Sequence, residues 1–205
     1  MSQSILINNG NLGRMGKTTI AYNIYKTSKE PFKYVTNDLE NASIDLTENV
    51  KEDELFHFPN GTDIDMDFGG NIIFDFGGKP DDRLMVIAEA VDMIIVPLSY
   101  QSDSELELTV KNLNTLIEVN SNIILVINNT DTTDAKRIRT ALKFNPQFKK
   151  IKVLEINHSK YIRRLANDNQ TVFEVAEANK GDATRLNKTI IPQFKELFST
   201  LNITI

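Results

Sequence analysis

The chain has 205 residues, a formal net charge of −5 and a hydrophobic content of 40%. This length and composition suffice for one substantial core, and we expect a single domain over residues 1–205. The sequence contains no run of 18 apolar residues, so no membrane span is predicted. The first residues lack the basic and apolar regions of a signal peptide. The absence of cysteine excludes disulfides, thiolate metal sites and cysteine nucleophiles. Together, these three features favour a cytoplasmic protein.

Short apolar runs alternate with segments of helical periodicity. Strands are predicted at 5–7, 34–35, 72–74, 93–96, 123–127 and 151–156. Helices are predicted at 18–28, 82–91, 104–119, 135–144, 160–167 and 182–201, and Pro192 is expected to kink or restart the last one. A turn at 59–61 separates two short runs that are candidates for a hairpin. Continuous apolar strands alternating with helices indicate an α/β fold, with a mostly parallel sheet covered by helices on both faces.

The most informative segment follows the first predicted strand. A loop rich in glycine and asparagine ends in Gly-Lys-Thr-Thr, and a helix is predicted to follow. This is the order of a phosphate-binding loop, in which backbone N–H groups and a helix N-terminus surround a phosphate. Lys17 would then reach the β- and γ-phosphates, and Thr18 would bind Mg²⁺. The residues expected around a nucleotide are Gly10, Asn11, Gly13, Met15, Gly16, Lys17, Thr18 and Thr19.

The loop departs from the usual pattern, because Asn11 stands where the first glycine is expected. A glycine-rich turn with an incidental Gly-Lys-Thr is therefore the alternative interpretation.

Polar residues also follow other predicted strands, at the edge where parallel sheets bind ligands. Asp38 follows the second strand, and Asp75 ends the third major strand. An aspartate at such a strand end, behind a phosphate loop, is typical of the acid that holds Mg²⁺. Gly77 would let a γ-phosphate approach the backbone. Asn128 is a candidate for contacts with a nucleotide base, although a plain turn is equally compatible with this segment.

Charge is distributed unevenly along the chain. Residues 38–67 hold ten acids and one lysine, whereas residues 135–165 hold ten basic residues and one acid. The acidic segment surrounds Asp38 and is a candidate docking surface for a basic partner, or simply a solvated face. Basic side chains bind nucleic-acid phosphates without reading the base sequence, so the basic segment is a candidate DNA-binding surface. The alternative is that its residues are ordinary solvated charges. The residues predicted to bind DNA are Lys149, Lys150, Lys152, Lys160, Arg163 and Arg164.

Taken together, the motifs resemble the ParA/MinD group of P-loop ATPases (deviant Walker A, SIMIBI class), especially the small ParA-type plasmid partition proteins. The matching segments are Gly-Lys-Thr-Thr at 16–19, Val-Thr-Asn-Asp at 35–38, Ile-Phe-Asp at 73–75, Ile-Ile-Val-Pro at 94–97, the basic segment from 160 and Val-Phe-Glu at 172–174. The resemblance implies ATP and Mg²⁺ as cofactors and a role for Asp38 toward the hydrolytic water. It also implies a homodimer when ATP is bound, non-specific DNA binding and a small basic ParB-like partner protein. Residues 194–205 hold only one basic residue, so we expect no basic membrane-targeting helix and no membrane partner.

One departure from this family concerns its signature lysine, which reaches the partner's phosphates across an ATP-bound dimer. Leu12 occupies that position, and Arg14 replaces a glycine. We hypothesise that Arg14 supplies the missing charge in trans, because a guanidinium is long and binds phosphate through two N–H groups. The alternative is that Arg14 points to solvent and that the dimer is weak or absent.

The sequence therefore predicts an ATPase for partition or positioning in plasmid DNA segregation, with slow hydrolysis that a partner stimulates. Two alternatives remain open. One is a nucleotide-binding scaffold with little or no hydrolysis, which the altered loop supports. The other is a small-molecule ligase or kinase resembling dethiobiotin synthetase, for which the sequence shows no matching substrate motif.

Overall fold

A seven-stranded sheet forms the centre of the molecule. The computed structural model describes residues 2–40, 42, 44–77, 81–159, 170–178 and 186–205. The strands are β1 (Ser4–Ile7), β2 (Phe32–Thr36), β3 (Leu55–His57), β4 (Asn71–Asp75), β5 (Met93–Leu98), β6 (Ile123–Thr130) and β7 (Lys152–Asn157). Their order is β3-β2-β4-β1-β5-β6-β7, and each neighbouring pair is parallel.

Helices cover both faces of this sheet. They are α1 (Lys17–Thr27), α2 (Leu46–Asn49), α3 (Leu84–Ala90), α4 (Asp103–Val119), α5 (Thr132–Lys143), α6 (Val172–Ala178) and α7 (Ile191–Thr200), with a 3₁₀-helix at Pro146–Lys150 and a π-helix at Leu186–Ile190. One apolar cluster joins α1, α6 and α7 to one face, and a second joins α3, α4 and α5 to the other. The predicted fold class is therefore confirmed.

The central position of β1 explains its uninterrupted apolar run. This strand pairs with β4 on one side and β5 on the other. Because helices cover both faces, Ile5, Leu6 and Ile7 are all fully buried. The chain leaves the carboxyl end of β1 directly into the loop that precedes α1, so this loop starts from the middle of the sheet.

The predicted hairpin is wrong. The turn exists, since the Thr62 N–H donates to the Pro59 carbonyl at 3.2 Å. The run before it, however, forms β3, which pairs in parallel with β2 at the sheet edge. The chain between β2 and β3 contains α2 and is long enough for a parallel crossover, which the local turn signal does not reveal.

The end of the chain agrees with one prediction and leaves another open. Pro192 lies in the first turn of α7, directly after the π-helix, so the helix changes its hydrogen-bonding pattern where a kink or restart was expected. The helix predicted at 160–167 lies outside the described residues, as does the start of the one predicted at 182–201. Over the described part of the chain, we find no helix long and apolar enough to cross a membrane.

Candidate functional site

Asparagine side chains attach the loop between β1 and α1 to the sheet. Asn8 Nδ2 donates to the Phe76 carbonyl at 2.8 Å, just beyond β4. Asn9 Nδ2 donates to the Pro97 carbonyl at 2.9 Å, within β5. Both asparagines are buried, so these bonds are shielded from water. The start of the loop is therefore fixed to both strands that flank β1.

The end of the loop requires glycine at position 16. Gly16 has a φ of 87°, in the left-handed region that favours glycine, and it immediately precedes α1. A Cβ atom at this position would lie 2.1 Å from Asn128 Nδ2. That same nitrogen donates to the Met15 carbonyl at 2.9 Å. Asn128, predicted to contact a base, therefore has its amide N–H₂ engaged in supporting the loop.

Lys17, the first residue of α1, extends across Gly77. Its Nζ donates to the Leu12 carbonyl at 2.6 Å. A Cβ atom at position 77 would lie 1.9 Å from Lys17 Cε, so the lysine requires glycine there. Burial lowers the pKa of Lys17, while the charges of Asp75 and Asp38 oppose that shift. The ammonium group is thus drawn out of water next to two acids, as a binding site for phosphate would need.

Asp75 ends β4 and lies buried beneath the start of α1. Its Oδ2 accepts a hydrogen bond from the Tyr34 hydroxyl at 2.7 Å, and Thr18 also hydrogen-bonds to its side chain. Burial raises the pKa of Asp75, against the effects of these two hydrogen bonds and of the Lys17 charge. The structure therefore brings together Thr18 and Asp75, the two residues predicted to hold Mg²⁺.

Asp38 approaches the same place from the end of β2. Its backbone N–H donates to Thr36 Oγ1 at 3.2 Å, and that hydroxyl donates to the Asp75 carbonyl at 3.0 Å. Thr36 stands where the family resemblance places its first aspartate, and here it links the ends of β2 and β4. Asp38 is half-buried and faces the same cavity as Lys17.

Two adjoining cavities open around the loop. The first has a volume of about 390 Å³ and is lined by Gly13, Arg14, Met15, Gly16, Lys17, Thr18, Thr36, Asp38, Ala42, Asp75 and Gly77. The second has a volume of about 580 Å³ and is lined by Arg14, Gly16, Thr19, Ser99, Tyr100, Gln101, Asn128, Asn129 and His158. The first combines a lysine with two acids, and the second offers hydroxyl, amide and aromatic groups beside it. Neither lining includes Gly10 or Asn11, which were predicted to contact the nucleotide.

Arg14 lies where the two cavities meet. It is exposed and has a φ of 58°, which is uncommon for a residue other than glycine. Within the described part of the chain it forms no hydrogen bond or ion pair. Leu12 is partly buried and packs against the core cluster under α3, α4 and α5. An arginine at the mouth of the site is thus available to a ligand, whereas Leu12 points into the protein.

A hydrogen-bond network that the sequence did not reveal supports Gly77. The Gly77 N–H donates to Asn37 Oδ1 at 3.2 Å, and Asn37 Nδ2 donates to Asp81 Oδ2 at 3.0 Å. Arg83 forms a salt bridge with Asp81 at 2.6 Å and donates to the Phe58 carbonyl at 3.1 Å. Burial would raise the pKa of Asp81, but the hydrogen bonds from Arg83 and Asn37 outweigh it and lower that pKa. The one sequence signal for this hydrogen-bond network is that Asn37 directly precedes Asp38.

The described part of the predicted DNA-binding set lies away from this site. Lys149 and Lys150 end the 3₁₀-helix and Lys152 begins β7, so all three are at the amino end of that strand. All three are exposed, and Lys152 Nζ donates to Thr200 Oγ1 at 2.8 Å. The remaining members, Lys160, Arg163 and Arg164, lie outside the described residues.

The acidic segment is partly structural. Asp45 caps α2 by accepting hydrogen bonds from the N–H groups of Thr47 and Glu48. Glu54 accepts a hydrogen bond from the Tyr25 hydroxyl at 2.5 Å and forms a salt bridge with Lys51. Asp45 and Glu54 therefore have structural roles, and the acidic segment as a partner surface stays a prediction.

Solved structures share this architecture. An ATP complex of McdA from Cyanothece superposes with a TM-score of 0.66 at 13% identity, covering 100% of this chain and 98% of that one. MinD from Aquifex aeolicus gives a TM-score of 0.66 at 15% identity, covering 97% and 98%. A ParA-family ATPase from Chlorobium tepidum gives 0.58 at 17% identity, covering 93% and 98%. No protein-family model and no curated protein matches the sequence. The chain thus has the fold of the SIMIBI-class P-loop ATPases that include ParA and MinD.

Proposed function

We propose that this protein is an ATP- and Mg²⁺-dependent ATPase that positions or partitions DNA cargo. The observation that carries the proposal is the convergence of Lys17, Thr18, Asp38 and Asp75 on one cavity from β1, β2 and β4. A lysine, a hydroxyl and two carboxylates around a glycine-rich helix N-terminus form the set of groups used in phosphoryl transfer. Positioning the phosphates and stabilising their charge supply most of the catalysis in that reaction.

The residues present fit a magnesium ion. Thr18 and Asp75 offer hard oxygen ligands, which Mg²⁺ prefers, and they already contact each other. When bound, Mg²⁺ would neutralise charge on the β- and γ-phosphate oxygens. Lys17 would hold those phosphates, Gly77 would let a γ-phosphate approach the backbone, and Asp38 would orient the attacking water. A Cβ atom at Gly16 would meet the Asn128 side chain and one at Gly77 would meet the Lys17 side chain, so both side chains depend on glycine for their present positions.

The positioning role, as distinct from ATP hydrolysis alone, rests on similarity. The superposed structures include McdA, MinD as a cell-division protein, and a putative plasmid partition protein from Borrelia burgdorferi at 15% identity. By analogy, this chain would pair with itself when it binds ATP, hold DNA non-specifically and respond to a small basic ParB-like protein. Arg14 would supply the trans charge that Leu12 cannot.

Calorimetry with ATP and Mg²⁺, followed by phosphate-release assays with and without random-sequence DNA, tests this function. We expect binding that requires Lys17, and turnover that rises with DNA and partner. The matched control is Lys17→Ala, which should weaken ATP binding by about 2–4 kcal/mol through loss of charged hydrogen bonds. Unaltered ATP affinity in that variant would exclude the phosphate-loop assignment.

The dimer is tested separately, by sedimentation with a non-hydrolysable ATP analogue. Arg14→Ala should abolish the ATP-dependent dimer and lower turnover. If dimerisation and turnover in Arg14→Ala equal those of the unmodified protein, Arg14 supplies no trans charge.

A nucleotide-binding scaffold with little hydrolysis is the second candidate, favoured by the inward-facing Leu12. Tight ATP binding without phosphate release, even with DNA present, would identify it. A metabolite-dependent ligase has support from cobyrinic acid a,c-diamide synthase of Mycobacterium smegmatis, which superposes with a TM-score of 0.52 at 12% identity, covering 82% and 93%. Turnover that depends on a small molecule and ignores DNA would favour that class.

A further inference from the structure

Tyr34 makes an unusual contact for a residue in the middle of a buried strand. It lies in β2 with no solvent exposure, and its ring packs edge-on against Tyr25 with centroids 5.9 Å apart. Its hydroxyl donates to Asp75 Oδ2 at 2.7 Å. Because Tyr34 pairs in register with Ile73, its side chain reaches along the sheet to the acid two residues further on.

The packing around Tyr34 does not itself call for a hydroxyl. Phe32, two residues earlier on the same strand, points to the same face and belongs to the same apolar cluster. A phenylalanine would therefore suit this environment, and a buried hydroxyl without a partner would be costly. Asp75 is the hydrogen-bond acceptor that makes tyrosine favourable at position 34.

The contact fixes one carboxylate oxygen, Oδ2, of the buried Asp75 side chain. Asp75 also hydrogen-bonds to Thr18, which would itself turn toward a metal ion. We propose that Tyr34 is a positioning residue, which fixes the Asp75 carboxylate so that the carboxylate and Thr18 hold the divalent cation of the nucleotide complex. This inference rests on the proposed function, since it assumes that Asp75 serves a metal-bound nucleotide. Residues that orient metal-binding side chains in this way typically contribute about 10- to 100-fold to metal affinity.

The test compares two variants that each remove one tyrosine hydroxyl. Tyr34→Phe removes the bond to Asp75, whereas Tyr25→Phe removes the bond to Glu54 and the bond from the Lys51 N–H and leaves Asp75 unchanged. Mn²⁺ binding to the protein saturated with a non-hydrolysable ATP analogue is measured by electron paramagnetic resonance of the free ion. We expect Tyr34→Phe to weaken Mn²⁺ binding by about 10-fold or more. Affinity for the analogue in EDTA should stay within twofold of the unmodified protein, and Tyr25→Phe should leave both quantities unchanged.

Asp75→Asn supplies a second comparison, alone and combined with Tyr34→Phe. If Tyr34 acts through Asp75, removing the hydroxyl should have little further effect on Mn²⁺ binding in the Asp75→Asn background. Equal losses in Tyr34→Phe and Tyr25→Phe, or a Tyr34→Phe variant with unaltered Mn²⁺ affinity, would overturn the inference. Unfolding of Tyr34→Phe would also overturn it, because the hydroxyl would then be needed for the fold. If the unmodified protein binds neither ATP analogue nor Mn²⁺, the proposed function fails first, which separates the two outcomes.

Discussion

Replacing Gly77 with alanine tests whether Lys17 works from the position in which the structure places it. The added Cβ would lie 1.9 Å from Lys17 Cε and 2.6 Å from Nζ, far inside any allowed contact. Since the end of a lysine side chain turns easily, we expect it to swing away and the unfolding free energy to change by less than about 1 kcal/mol. The charge, however, would no longer lie over the phosphate loop.

The expected loss of affinity follows from the bond that Lys17 would make to phosphate. Losing a hydrogen bond to a charged group costs about 1.5–3 kcal/mol, which corresponds to a roughly 10- to 150-fold increase in the Kd for ATP. Calorimetric titration with ATP and Mg²⁺ measures this change, and thermal unfolding without nucleotide checks the fold. The comparison isolates the position of Lys17, because its charge is retained.

A double-mutant cycle shows whether the effect passes through Lys17. In the Lys17→Ala background, Gly77→Ala should produce little further loss, because the side chain that it displaces is absent. If Gly77→Ala binds ATP as well as the unmodified protein, Lys17 must leave Gly77 in the bound state. Additive losses would instead mean that the methyl group obstructs the phosphate directly. Either result would refute the idea that Lys17 binds phosphate from its place over Gly77.

Three other substitutions have separable outcomes. Asp38→Ala should leave ATP affinity within about twofold but slow phosphate release by about 100-fold or more, since orienting the water contributes only to the transition state. If this variant hydrolyses ATP at the wild-type rate, Asp38 has no role in hydrolysis. Burial raises the pKa of Asp75 above 3.8, because the buried site favours the neutral carboxyl over the carboxylate. The stability gained from the raised pKa is therefore complete below pH 3.8 and is lost as pH rises through the folded-state pKa. Asp75→Asn should therefore raise the Tm of the nucleotide-free protein at pH 7, by about 2–4 °C for each kcal/mol gained in unfolding free energy. It should also make the Tm less dependent on pH and weaken Mg²⁺ binding. A lower Tm would contradict this reasoning. The triple alanine variant at Lys149, Lys150 and Lys152 should weaken DNA binding equally for all sequences and reduce the salt slope by about three units, and an unchanged slope in gel-shift titrations would remove these residues from the interface.

The sequence predicted those features that depend on local pattern. The apolar runs placed six strands because a parallel sheet buried on both faces requires continuous hydrophobic segments. The phosphate loop, Asp38 and Asp75 could be brought to one edge because the carboxyl ends of parallel strands meet there. β3 was missed as a parallel strand because it has only three residues, two partly buried and one exposed, and such a short run beside a turn signal carries little information about its partner strand.

Side-chain contacts between distant elements could not be derived in this way. Tyr34 has the pattern of an ordinary core residue, and its role depends on the β2–β4 register, which sequence does not state. The bond from Asn128 Nδ2 to the Met15 carbonyl crosses from β6 to the loop, so this amide supports the loop backbone, a role that its place in the sequence does not reveal. Each case depends on one hydrogen bond between residues far apart in the chain.

The asparagine anchors of the loop have a consequence for the entropy of ligand binding. Fixing the backbone of a flexible residue costs about 1–2 kcal/mol, so ordering a mobile loop around a phosphate would oppose much of the binding free energy. Asn8 and Asn9 already join the start of the loop to the end of β4 and to β5, and Asn128 joins the end of the loop to β6, all through buried amide groups. That ordering therefore occurs when the sheet folds. Substitutions at Asn8 and Asn9, which line neither cavity, should therefore weaken nucleotide affinity by loosening the loop, with slower association and faster amide hydrogen exchange along residues 8–16.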